Sequence, residues 1–177
     1  MTNKYMYFIA NWKMFGDLRS LNSLDRVIKF LKGFKNNRLT KIIYCPPNTL
    51  IYPMKKKFLK SSIEVGAQNC HQNEEYGAFT GSVNSKMLKD IGAKYIIIGH
   101  SENRKNGESN KLINSKIKSA LKSRLKIILC IGESLAEKRK KITKNILKKQ
   151  ITLGLKNIKN KKNIIIAYEP VWSIGSN

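Results

Sequence analysis

Acidic residues are few in this chain: 11 Asp and Glu face 35 Lys and Arg, and the formal net charge of the 177 residues is +24 at pH 7. Arginine is scarce beside lysine. Arginine is the better reader of phosphates and bases, so the charge by itself argues weakly for a specific nucleic-acid partner. Lys, Asn and Ile, all served by AT-rich codons, make up about 70 of the residues, an unusual bias for a folded domain. Base composition accounts for the charge at least as well as a polyanionic partner does.

Long hydrophobic runs are missing too. No stretch of 18 or more apolar residues occurs, so no membrane span is expected. The N-terminus, MTNKYMYFIANWK, turns polar after Ala10, too early for a signal peptide. Only three cysteines are present, Cys45, Cys70 and Cys130. They are odd in number, far apart and not in metal-ligand spacing, which reads as reduced thiols in a cytoplasmic protein with no metal and no cofactor. Linkers, low-complexity segments and clear 20–50-residue repeats are absent, and 177 residues suit one domain, taken as 1–177.

What is there alternates. Short apolar runs at 5–10, 41–45, 63–68, 93–100, 126–132 and 162–169 read as strands. Between them, 20–34, the segment after Pro46-Pro47, 83–92, 108–124 and 134–160 read as helices, the last as one long basic helix or a pair. Pro53 is expected to mark a break or a late start in the second of these. Asn84 is a candidate N-cap and Gly92 a C-terminal stop. Six strands alternating with five helical segments predict an α/β protein built from βαβ units around a parallel sheet. The unalternating apolar strand cores suit a sheet buried on both faces.

Three of these runs hand over to polar groups at their C-terminal ends: YMYFIA to Asn11-Trp12-Lys13, YIIIG to His100-Ser101-Glu102, and IIIAY to Glu169-Pro170. In parallel α/β architectures that edge is where ligands bind. A lysine, a histidine and a glutamate on one rim supply a cation, a proton carrier and a base, the parts needed for proton transfer next to a carbonyl. Each has a plainer alternative: a solvated lysine, a hydrogen-bonded core histidine, a glutamate paired with a lysine. Glu102 is read as holding Lys13 or His100, with Ser101 and Cys130 also placed behind the reacting groups; for Cys130, a small core thiol is the competing assignment. His71 is read as a surface residue.

The segments ANWKM, GAFTGSVNSKMLKDIGAKYIIIGHSENR, CIGES and AYEPVWSIG resemble the triosephosphate isomerase family in order and spacing, from residue 5 to the last residue. The resemblance implies a TIM (β/α)8 barrel and the interconversion of dihydroxyacetone phosphate with glyceraldehyde 3-phosphate. It implies Glu169 as the base, His100, kept neutral, as the group that polarises the carbonyl, Lys13 as the cation for phosphate and enediolate, and Asn11 as a hydrogen-bond donor. Substrate contacts would come from Asn11, Trp12, Lys13 and Gly175. A lid would run through Pro170, Val171, Trp172, Ser173, Ile174, Gly175 and Ser176. The loop of Thr80 would reach a neighbouring subunit, making a homodimer with a small phosphorylated triose as substrate. Two positions depart from the family's pattern: Ser82 stands where glutamate is usual and Asn103 where arginine is, so the pair they form in the family is absent.

Such a barrel takes about 250 residues and eight strands, so only about the first six are expected here, without strands 7 and 8 and their phosphate-holding loops. The 177 residues alone are therefore expected to fold poorly and to show little isomerase activity. The rival readings are an inactive truncated remnant and a basic nucleic-acid-binding module without catalysis. The latter explains the charge but not the ordered polar rim.

Overall fold

The computed structural model describes residues 5–34 and 39–175. Six strands form one parallel sheet in sequence order: β1 (Met6–Asn11), β2 (Thr40–Cys45), β3 (Glu64–Ala67), β4 (Tyr95–Ile98), β5 (Lys126–Ile131) and β6 (Ile164–Tyr168). The helices between them are α1 (Leu24–Gly33), α2 (Asn48–Lys57), α3 (Ser85–Asp90), α4 (Ser101–Lys105), α5 (Asn110–Lys122), α6 (Leu135–Arg139) and α7 (Thr143–Gly154).

Strand periodicity splits the core into two layers. One face of the sheet sends Ile43, Cys45, Tyr95, Ile97, Ile128 and Cys130 to an inner cluster, joined by Tyr7, Ile9, Ile165 and Ala167. The alternate residues, including Ile96, Ile98, Ile127 and Leu129, pack outward against helix residues such as Ile113 and Ile117. This double burial is why the strands read as unbroken apolar runs. β1 and β6 lie at the two ends of the strand order, and there Met6, Phe8, Ile166 and Tyr168 are exposed.

Local signals explain most boundaries. Asn84 accepts the Met87 N–H at 2.9 Å and starts α3, and Gly92, at φ +103°, ends that segment. Three expectations need correction. Pro53 neither breaks nor delays α2; it sits inside the helix, where its missing N–H frees one carbonyl in the first turn and the remaining apolar residues, Leu50, Ile51 and Met54, still bury. Of the two readings of 134–160 the helix pair is the one found, because Lys141 at φ +59° takes the left-handed conformation between α6 and α7. The segment from residue 20 begins as a 3-10 turn over Arg19–Ser23 before α1. The short helix α4, directly after β4, lay within no expected helix.

Candidate functional site

The ends of β1, β4 and β6 converge, as the sequence rim requires. At the end of β1 the backbone N–H of Lys13 donates to Asn11 Oδ1 at 3.0 Å, and Lys13 itself has φ +50°. A lysine in the left-handed region is unfavourable unless its surroundings hold it. Gln68 supplies that hold: its Nε2 donates to the Lys13 carbonyl at 2.7 Å and to the Cys45 carbonyl at 2.9 Å. Trp12 turns its indole into the outer core, edge-on to Tyr44.

At the end of β4, buried His100 is the residue capping α4. Its Nδ1 accepts the Glu102 N–H at 3.3 Å, leaving Nε2 as the donor of the neutral ring. Ser101 is the buried first residue of that helix. Glu102 joins both neighbours: Lys13 Nζ donates to Oε1 at 2.8 Å, and Oε2 lies 3.4 Å from His100 Nδ1. The Lys13 hydrogen bond holds the Glu102 carboxyl below its ordinary range, against a smaller opposing effect of burial.

At the end of β6 the Glu169 N–H donates to the Ile131 carbonyl at 2.8 Å, continuing the sheet. One oxygen, Oε1, accepts from Cys130 Sγ at 3.2 Å. The other, Oε2, is buried, has no hydrogen-bond partner among the described residues and lies 3.7 Å from His100 Nε2. Burial, reinforced by the Glu169 carboxylate, pushes the Cys130 thiol up, so it acts as a neutral donor. Asn11, Lys13, Gln68, His100 and Glu102 line a cleft of about 680 Å³. Glu169 borders a small adjoining cavity beside Gly132 and Val171.

Several residues that sequence reasoning passed over hold this rim. Arg104 reaches back to the Gly99 carbonyl at 2.7 Å and the Cys130 carbonyl at 3.0 Å, locking the ends of β4 and β5 together. Gln150 on α7 exchanges two 2.9 Å hydrogen bonds with the backbone of Gly132. A Cβ at Gly132 would collide with the Glu169 carbonyl oxygen, so only glycine lets β5 and β6 approach here. Buried Glu133 accepts from Tyr168 Oη at 3.1 Å and from Trp172 Nε1 at 3.0 Å, and its carbonyl accepts the Val171 N–H at 3.0 Å. Apart from the Arg104–Gly99 bond, these contacts join residues 18 or more apart in the chain, and none has a local pattern. The family-like segments CIGES and GHSENR contain Gly132, Glu133 and Arg104, but neither segment shows these contacts.

The segment placed as the lid begins with a 3-10 turn over Val171–Ser173 after Pro170, followed by Ile174 and by Gly175 at φ +70°. Ser176 lies outside the described residues. Thr80 is exposed, well away from this triad in sequence, beside part-exposed Phe79. His71 stacks on the Phe79 ring at 4.4 Å between centroids. Among the described residues no group of three or more metal-binding side chains gathers, and no helix is long and apolar enough to cross a membrane.

A family model described as triosephosphate isomerase matches residues 6–177. The chain belongs to the triosephosphate isomerase family. The triosephosphate isomerase of Carboxydothermus hydrogenoformans is 42% identical over 173 residues, covering 96% of this chain and 68% of the relative. That of Aquifex aeolicus is 39% identical over 169 residues, covering 94% and 67%. The crystal structure of triosephosphate isomerase from Bartonella henselae superposes with a TM-score of 0.86 at 35% identity, over 94% of this chain and 68% of that one. The chain thus spans about two thirds of the length of the relatives it matches, and its six strands form the matching part of a TIM barrel. The family's reaction is the aldose–ketose interconversion of dihydroxyacetone phosphate and glyceraldehyde 3-phosphate, and the substrate is a triose phosphate. These findings do not favour a non-catalytic module.

Proposed function

We propose that Glu169 is the base of this isomerisation. Its carboxylate takes a proton from one carbon of the bound triose and returns it to the next, with an enediolate between the two steps. The carrying observation is the environment of Oε2: a buried carboxylate oxygen, free of any described hydrogen-bond partner, 3.7 Å from His100 Nε2. A base needs an unengaged lone pair, and the proton carrier must stand beside it. Oε1, anchored by Cys130, fixes the carboxylate's orientation.

His100 donates from Nε2 to the substrate's carbonyl oxygen and shuttles protons between the two oxygens. Nδ1 is occupied by the Glu102 N–H, which selects that tautomer. Lys13, held by Glu102 and Gln68, offsets the phosphate and the charge developing on the enediolate. Asn11 is placed on the same cleft to donate to the carbonyl side. The segment Pro170–Ser176 closes over the site and excludes water, with the Gly175 N–H on the phosphate. Residues 1–177 belong to one domain, an incomplete barrel, and the enzyme works in the cytoplasm without metal or cofactor.

The enzyme works as a homodimer in which the Thr80 loop meets the partner's Asn11 and Lys13. In support, Met14 and Phe15 are exposed apolar residues lining the cleft beside Lys13. Sedimentation of the native protein at twice the chain mass supports this assembly, and a monomer at working concentrations overturns it. For the chemistry, a coupled assay should show kcat falling by about 10²–10⁴ in Glu169→Gln, the range for loss of a general base, with a smaller change in KM. Retention of kcat in that variant contradicts the assignment.

A further inference from the structure

The positive charge is not evenly spread. Between Lys138 and Lys162, eleven of 25 residues are Lys or Arg and none is acidic, so this stretch holds eleven of the 24 net charges in about one seventh of the chain. Residues 26–63 also lack acids but carry ten basic residues in 38, so what sets 138–162 apart is the density of its charge, which a uniform codon bias does not concentrate in one segment. Elsewhere some lysines are paired: Lys57 with Asp25, Lys86 with Glu75, Lys94 with Glu64 and Lys122 with Glu74. No ion pair engages any basic residue of 138–162 among the described residues.

The fold turns this segment into a surface. On α7, Lys144, Asn145, Lys148, Lys149 and Thr152 fall within one arc of the helix, and all five are exposed, as is Lys141 in the turn before it. Lys144 and Lys148 stand one turn apart, a like-charge pair that weakens an isolated helix by a few tenths of a kcal/mol. The opposite side of α7, with Leu147 and Ile151, packs on the outer core. Beyond α7, Lys118 and Lys122 of α5 and Lys159 line a shallow groove of about 370 Å³, together with the amides of Asn157, Asn160 and Asn163.

We propose that this α7 face, on the outside of the sheet, is a docking surface for the phosphate backbone of double-stranded nucleic acid, read without regard to sequence. The function is additional to the isomerase reaction and does not depend on it. Rows of lysine ammonium groups with neighbouring amide donors complement phosphate oxygens. The segment contains one arginine and no aromatic residue. It therefore lacks the groups for bidentate base contacts and for stacking unpaired bases, which favours a duplex over a single strand. An anionic bilayer fits less well, because the apolar side of α7 is already committed to the core and has nothing to insert.

The test uses the protein in the form it takes in its own cells and a labelled mixed-sequence duplex of about two helical turns, with binding followed by fluorescence anisotropy across a salt series. Two triple variants change the net charge equally: Lys144→Glu, Lys148→Glu, Lys149→Glu on the proposed face, and Lys29→Glu, Lys32→Glu, Lys56→Glu on α1 and α2. The proposal expects the first to weaken binding about tenfold or more and to lower the slope of log K against log salt by about 2 to 3, and the second to change binding by less than about twofold. The neutral triple Lys144→Gln, Lys148→Gln, Lys149→Gln, expected to lose part of the same slope, secures the reading if charge reversal unfolds α7. Equal losses in the two glutamate triples would mean a diffuse polycation and overturn the proposal. So would no saturable duplex binding by the unmodified protein, or binding to phosphatidylserine vesicles without binding to the duplex.

Discussion

The Gln68 side-chain amide bridges the carbonyls of Lys13 and Cys45, at 2.7 and 2.9 Å, and so ties the end of β1 to the end of β2. It secures a lysine whose φ of +50° the chain would otherwise avoid. Gln68→Ala leaves two part-buried carbonyls without that donor and should destabilise by about 1–3 kcal/mol in a denaturant titration. Gln68→Glu should be worse, since it sets a carboxylate against two carbonyl oxygens. Both should lower kcat/KM by displacing the Lys13 ammonium.

Gly132 is the second backbone device. With a Cβ there the Glu169 carbonyl must move. Gly132→Ala is expected to lower kcat by about a hundredfold, the effect of a 1 Å misplacement of a reacting group, while thermal unfolding shows a smaller proportional change. Unaltered kcat would show that Glu169 is not positioned through this contact.

Glu133 ties the start of the lid segment to the end of β5, through Tyr168 Oη and Trp172 Nε1. Lys138 Nζ lies 3.2 Å over the Trp172 ring centroid. Glu133→Ala removes the acceptor for both donors. In a Trp12→Phe background, Trp172 emission should shift to the red as the indole loses its fixed contacts. An unmoved spectrum would show that Glu133 does not hold the lid segment.

Glu102 gives a pH dependence with a definite sign. Its carboxyl is held below its ordinary value of 4.5 in the folded protein, chiefly by the hydrogen bond from Lys13. The unfolded chain therefore binds the proton more readily. Its stabilising contribution is fully present above 4.5 and is lost as pH falls from there through the lower native value. Glu102→Gln should flatten the stability profile in that acidic window and leave its slope near neutrality alone.

Burial holds the three thiols protonated: Cys45 and Cys70 are each pushed up to about 12, and Cys130 is raised further still. A thiol reagent at neutral pH should find no fast-reacting cysteine in the folded protein and all three after unfolding. A rapid native phase at Cys130 would place that thiol in an open site rather than against Glu169.

Much of this architecture was legible in the sequence. The six apolar runs located all six strands within two residues at either end, and the Asn84 cap and Gly92 stop bounded α3. Convergence of Lys13, His100 and Glu169 followed from each standing at a strand's C-terminal end. Pro53 misled because a local rule was applied where tertiary burial of Leu50, Ile51 and Met54 prevails. Short α4 was invisible because five residues give no period, and its start depends on a histidine cap. Gln68 and Gln150 could not be found, since each acts on backbone carbonyls 18 or more residues away, of Lys13 and Cys45 and of Gly132, and Arg104, though inside a family-like segment, gave no local sign of its reach to Cys130.

Hydrogen exchange into the substrate tests the central assignment most directly. In deuterated water, the protein in the form it takes in its own cells should place solvent deuterium on C1 of dihydroxyacetone phosphate. Glu169→Gln should slow that incorporation by about 10²–10⁴ while still binding a phosphorylated substrate analogue. Incorporation undiminished in the variant, or none in the unmodified protein, would contradict the account.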